Sequence, residues 1–110
     1  MSPPAASAFV ALGSNIDAEA NLRSAVGWLA AVFQLQAVSR VYRTPPWGGV
    51  VQADFLNAVV QIRTPLTAEA LLGALLAREL EQQRVRGILN GPRTLDLDLL
   101  FYEECVLSTP

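Results

Sequence analysis

The sequence contains no histidine, no lysine and one cysteine. Without histidine, the chain cannot supply Ser-His-Asp or Cys-His catalysis, an imidazole general base or the commonest zinc ligand. Cys105 has no second cysteine to pair with, which points to a reducing, cytoplasmic setting. No apolar run approaches the roughly 20 residues of a membrane span. The opening Met1-Ser2-Pro3-Pro4-Ala5-Ala6-Ser7 has neither the basic region nor the long apolar core of a secretory signal, and reads as a short disordered lead-in over residues 1–7. Charge is sparse and nearly balanced at a formal −2, so there is no basic field for nucleic acid. The central strands also lack the paired aromatics of an RNA-binding sheet.

What is present suits one compact domain over residues 8–110: 52% of the 110 residues are hydrophobic, enough for one core and not for two. Ala8 to Leu12 reads as a buried strand ended by Gly13, and Gly13-Ser14-Asn15 as a structural turn. Asp17 is placed to cap a helix with Glu19 in its first turn, followed by Leu22, Ala25, Val26, Leu29 and Val32 at helical spacing. A second strand is expected from about Ala37 to Arg43, broken by Thr44-Pro45-Pro46-Trp47-Gly48-Gly49. Phe55 to Ile62 is a third strand, and Thr67 caps a second helix with Leu71, Leu72, Leu75, Leu76 and Leu80 as its apolar stripe. Residues 83–93 read as a loop, Thr94 to Phe101 as a fourth strand, and Cys105-Val106-Leu107 as a further short one. The order β-α-β-β-α-β predicts an α+β, ferredoxin-like fold, an antiparallel sheet with two helices on one face.

The chemistry concentrates near residue 96. Leu95, Leu97 and Leu99 alternate with Asp96 and Asp98, so the two carboxylates share one strand face about 7 Å apart. A wet strand face explains such a pattern as simply as a metal site does. Aspartate is, however, a poor strand former, and two on one face repel without a compensating cation. All eight cationic residues are arginines, and Arg84, Arg86 and Arg93 sit just upstream, where planar guanidinium forks could clamp a polyphosphate. Phe55 and Asn57 share a face of the third strand, either as core and its neighbour or as an aromatic and an amide suited to a flat heterocycle.

Five blocks in order carry a resemblance: Ala11-Leu12-Gly13-Ser14-Asn15, Tyr42-Arg43-Thr44-Pro45-Pro46, Asp54-Phe55-Leu56-Asn57-Ala58-Val59, Glu79 with Arg84 and Arg86, and Gly91-Pro92-Arg93-Thr94-Leu95-Asp96-Leu97-Asp98-Leu99-Leu100. From Phe9 onward the chain resembles the 6-hydroxymethyl-7,8-dihydropterin pyrophosphokinase family of folate biosynthesis. The resemblance implies transfer of pyrophosphate from ATP to the pterin hydroxymethyl group, with AMP leaving. Asp96 and Asp98 would then hold two Mg²⁺ ions, and Arg84 and Arg93 would neutralise phosphate charge. Glu79, Arg84, Arg86, Arg93 and Leu99 would line the nucleotide. Thr44, Pro45, Trp47, Gly48, Phe55, Asn57 and Asp96 would line the pterin. The chain departs from the family in having Asn90 where a tryptophan is usual. It also stops at Pro110, before a Pro-His segment, an arginine and an aromatic that the family carries. The expectation is therefore an intact sheet with catalysis weak or absent. The alternative function is a binding or assembly module that self-associates through the surface this leaves exposed. Pterin and ATP are the expected partners, with no nucleic acid and no membrane.

Overall fold

The computed structural model describes residues 5–46, 51–83 and 95–104. Its elements are β1 (Ala6–Ser14), α1 (Ala18–Val32), β2 (Gln34–Val38), β3 (Tyr42–Thr44), β4 (Phe55–Thr64), α2 (Ala68–Gln83) and β5 (Asp96–Glu104). They form an α+β fold with a five-stranded antiparallel sheet and two helices. Residues 1–4 of the expected lead-in lie outside the described residues, whereas Ala6 and Ser7 already belong to β1, with Ala6 buried against the core. The short strand expected at 105–107 also lies outside the described residues, and β5 runs through Glu103 and Glu104.

β1 is central. It pairs with β4 from Ala6↔Thr64 to Ser14↔Leu56, and with β5 from Ala6↔Glu104 to Gly13↔Asp96. β2 and β3 share the other side of β4, opposite residues 60–63 and 55–57. The sequence pattern predicts one strand over 37–43. The structure instead starts it at Gln34 and divides it at 39–41. The division has a physical cause in Ser39. Its amide donates to the Val59 carbonyl at 2.8 Å, and its hydroxyl accepts from the Val59 amide at 2.8 Å. A side-chain oxygen thus takes a position that a backbone carbonyl would hold in an unbroken ladder.

The alternation along β1 and β4 sorts side chains by face. Ala8, Val10, Leu12, Val60 and Ile62 are buried in one core with Leu95, Leu97 and the two helices. α1 contributes Leu22, Ala25 and Leu29 and leaves Val32 exposed, while Phe33 just after the helix is buried in the core instead. Asp17 does not cap through its side chain. It adopts the left-handed φ 44°, ψ 47° instead. Aspartate serves there because it tolerates the left-handed region better than most residues. Thr67 does cap, its hydroxyl accepting from the Ala70 amide at 3.1 Å.

The predicted α2 stripe divides in two. Leu71 and Leu75 are buried, whereas Leu72, Leu76 and Leu80 are 50%, 55% and 62% exposed. Five leucines spread over too wide an arc for one sheet to cover. Arg78 takes the interior flank instead, with its guanidinium 5.5 Å from the Trp28 ring of α1. The two leucine sets should respond differently to truncation. Leu75→Ala should cost about 2–5 kcal/mol and Leu76→Ala no more than about 0.5 kcal/mol, as read from urea midpoints.

Candidate active site

The face of the sheet opposite the helices gathers the predicted site residues. Leu12 and Leu97 point into the core, so their strand neighbours Gly13, Asp96 and Asp98 point away from it. The register places Tyr42, Asn57, Gly13 and Asp96 in one row across β3, β4, β1 and β5. The next row on β1 and β5 sets Asp98 opposite Ala11. Asp98 is exposed, and Asp96 is partly buried. Among the described residues the ion pairs are Arg23 with Glu19 and Arg78 with Glu81, and neither engages Asp98.

Asn57 is held from the β3 side. Its amide nitrogen donates to Thr44 Oγ1 at 2.7 Å and lies 3.5 Å from the Tyr42 carbonyl oxygen. Phe55 sits two residues away on the same strand face, opposite Thr44, half-buried and outside the core cluster. Phe55 is thus an aromatic of intermediate burial on the strand face that carries the oriented Asn57 amide. Pro45 follows β3 and is exposed.

The sequence pattern ends the first strand at Gly13, whereas β1 continues through Ser14, and the bend that starts at Asn15 organises the approach to β4. Asn15 is buried and donates to Gln52 Oε1 at 2.8 Å and to the Ala53 carbonyl at 3.0 Å. The segment entering Phe55 is thereby tied to the end of β1. Sequence reasoning missed this role because the partners are 37 and 38 residues away. Asn15→Ala should cost about 1–3 kcal/mol, and amide hydrogen exchange at Ala53 and Asp54 should speed up.

Two predicted residues lie elsewhere. Leu99 packs against the core on the helix side, opposite the carboxylates. Glu79 reaches from α2 to accept the Leu97 backbone amide at 2.5 Å, which links the helix to β5. Trp47, Gly48, Arg84, Arg86, Arg93 and Asn90 fall outside the described residues. One aromatic pair was not anticipated. Phe9 of β1 and Phe101 of β5 meet edge to face at 6.3 Å, because the register sets them opposite each other.

The donor set limits the chemistry. Among the described residues no group of three or more acidic or cysteine side chains converges on a metal position. Two carboxylates alone leave a six-coordinate Mg²⁺ incomplete. That fits an ion which keeps waters and shares substrate phosphate oxygens rather than one caged by protein.

Comparison with known families places these residues in context. The family model for 7,8-dihydro-6-hydroxymethylpterin-pyrophosphokinase matches residues 9–110. The chain belongs to this pyrophosphokinase family. A 2-amino-4-hydroxy-6-hydroxymethyldihydropteridine pyrophosphokinase of Methylorubrum extorquens is 47% identical over 104 residues, covering 92% of this chain and 66% of the relative. Proteins of the same name from Pseudomonas aeruginosa and Bacillus subtilis are 42% and 45% identical, covering 93% of this chain and 65% and 63% of the relatives. The chain thus spans just under two thirds of the length of these pyrophosphokinases. No helix among the described residues is long and apolar enough to cross a membrane.

Proposed function

We propose that this chain carries the substrate-binding face of a pyrophosphokinase. In this reading it transfers pyrophosphate from ATP to the hydroxymethyl group of 6-hydroxymethyl-7,8-dihydropterin, in a cytoplasmic step of folate biosynthesis, on a ferredoxin-like scaffold. The observation that carries the reading is the row linking Asn57, Gly13 and Asp96, with Asp98 one step along β5. One side of the row offers an amide and an aromatic for a flat ring. The other offers two carboxylates for cations.

Asp96 and Asp98 would hold two Mg²⁺ ions together with phosphate oxygens; bound there, the ions supply charge neutralisation and hold the phosphates in line. Phe55 stacks on the pterin and Asn57 bonds its edge, with Thr44, Pro45, Trp47 and Gly48 completing that pocket. The hydroxymethyl oxygen is thereby aimed at the β-phosphorus; as that bond forms, the bond from the β-phosphorus to the AMP oxygen breaks and the hydroxyl proton passes to a phosphate oxygen or water. Arg84 and Arg93 offset charge on the phosphates, and Arg86 adds a loop contact. Glu79 and Leu99 support β5 beneath the nucleotide through the backbone bond and core packing described above. Little covalent work is asked of the protein; position and electrostatics carry the step.

Incubation with ATP, Mg²⁺ and the hydroxymethyl-dihydropterin should release AMP only when all three are present. Absence of both turnover and Mg²⁺-dependent nucleotide binding would contradict the assignment. A second reading, an assembly module, draws on the exposed Leu72, Leu76 and Leu80 of α2 and Leu100 of β5. Light scattering showing a concentration-independent monomer would count against it.

A further inference from the structure

We propose that Gly13 is a positioning residue. Lacking a side chain, it lets the Asn57 carboxamide lean across β1 toward Asp96. It thereby sets the spacing between the acceptor that reads the substrate ring and the carboxylate beside its reacting hydroxyl. This role rests on the pyrophosphoryl-transfer reading and deepens one part of it.

The register makes Gly13 the residue that stands between Asn57 and Asp96, since its Cα is paired with both. A Cβ built on Gly13 would lie 3.1 Å from Asn57 Oδ1, 3.9 Å from Asp96 Cβ and 4.0 Å from the Leu56 carbonyl oxygen. The first distance is tighter than ordinary van der Waals contact, so the carboxamide already occupies space that a side chain would need. Nor can the amide withdraw freely, because its nitrogen is held by Thr44 Oγ1 at 2.7 Å. With the nitrogen directed at β3, the carbonyl oxygen is the group turned toward Gly13. A ring seated there must bring an N–H to that oxygen, and a ring presenting only acceptors along the same edge leaves it unpaired and is rejected.

The backbone path gives no other reason for glycine. Gly13 lies within β1 and is not left-handed, and glycine inside a strand is less stable than alanine. What the position requires is the missing Cβ.

Gly13→Ala therefore separates binding from folding. Its melting temperature should stay close to that of the unaltered chain, the displacement at Asn57 offsetting the gain of alanine over glycine in a strand. Its Kd for 6-hydroxymethyl-7,8-dihydropterin should rise about tenfold, since displacements of this kind at a site are costly. Binding of Mg²⁺ with a non-hydrolysable ATP analogue should stay within twofold. In an Asn57→Ala background, Gly13→Ala should have no further effect on pterin binding. Unchanged pterin affinity in Gly13→Ala, or losses that multiply in the double variant, would overturn the proposal.

A second arm needs no substrate. The side-chain amide resonances of Asn57 should shift in Gly13→Ala and stay in place in Gly27→Ala, whose added Cβ meets nothing within 4 Å. Unmoved Asn57 resonances would refute the positioning role. If the unaltered chain fails to bind the pterin, the functional reading falls, and a shifted Asn57 pair would still support the role of Gly13.

Discussion

Asp98→Asn should weaken Mg²⁺-dependent binding of an ATP analogue by more than about 100-fold, beyond the 10–100-fold typical of groups that merely orient metal ligands. The same variant should melt at nearly the same temperature. Both effects come from one geometry. Asp98 is exposed on a strand face and has no ion pair among the described residues. A second carboxylate, Asp96, lies about 7 Å away on the same face. Asp98 makes no ion pair among the described residues, so removing its charge leaves the apo fold nearly unchanged. With Mg²⁺ and nucleotide present, the lost carboxylate removes one of the two protein anchors, and an amide oxygen is a poor replacement. A fall of several degrees in the melting temperature, with nucleotide affinity retained, would make Asp98 a structural residue instead. Calorimetric titration beside a thermal melt separates the two outcomes.

Leu12→Ala should destabilise the chain by about 2.7–5 kcal/mol, the range for leucine truncation in a packed core. Leu12 is 1% exposed on the central strand, opposite Ala58 on one side and Leu97 on the other. Those neighbours adjoin the site residues, since Ala58 follows Asn57 and Leu97 separates Asp96 from Asp98. A void under Leu12 therefore removes packing beneath both halves of the site at once. The loss is a large part of the ~5–15 kcal/mol that stabilises a typical domain. Urea denaturation should show the midpoint fall at constant slope, and ligand binding in the remaining folded fraction should weaken for pterin and nucleotide together. A loss below about 1 kcal/mol would mean that the core closes around the deletion.

The parts of this molecule that are legible in the sequence are those set by local period. Alternation along 95–99 places Asp96 and Asp98 on one face, and the same rule puts Phe55 with Asn57. On β5 burial fixes which face that is, since a one-residue slip would turn Leu95 and Leu97 out of the core. What the sequence hides depends on distant partners. The division of the expected 37–43 strand needs the Ser39 hydroxyl to meet Val59, 20 residues on. The splitting of the α2 leucines depends on how wide a stripe the sheet can cover, and periodicity alone cannot say which leucines lose. Asp17 looks like a cap by residue type, yet its role comes from a backbone angle that no pattern reveals. The row from Asn57 through Gly13 to Asp96 also emerges only with the register, because it joins three strands from opposite ends of the chain.

Whether the helix-free face of the sheet is the metal and nucleotide site can be measured directly. Mn²⁺ can replace Mg²⁺ in an amide NMR titration with the ATP analogue, so that paramagnetic broadening marks the residues near the ion. Signal should be lost first at Asp96, Leu97 and Asp98, then at Ala11, Gly13 and Asn57, while the amides of α1 and α2 remain sharp. Broadening centred on the helices or on the exposed acids Glu69 and Glu103, with the Asp96 and Asp98 amides unaffected, would contradict that placement of the site.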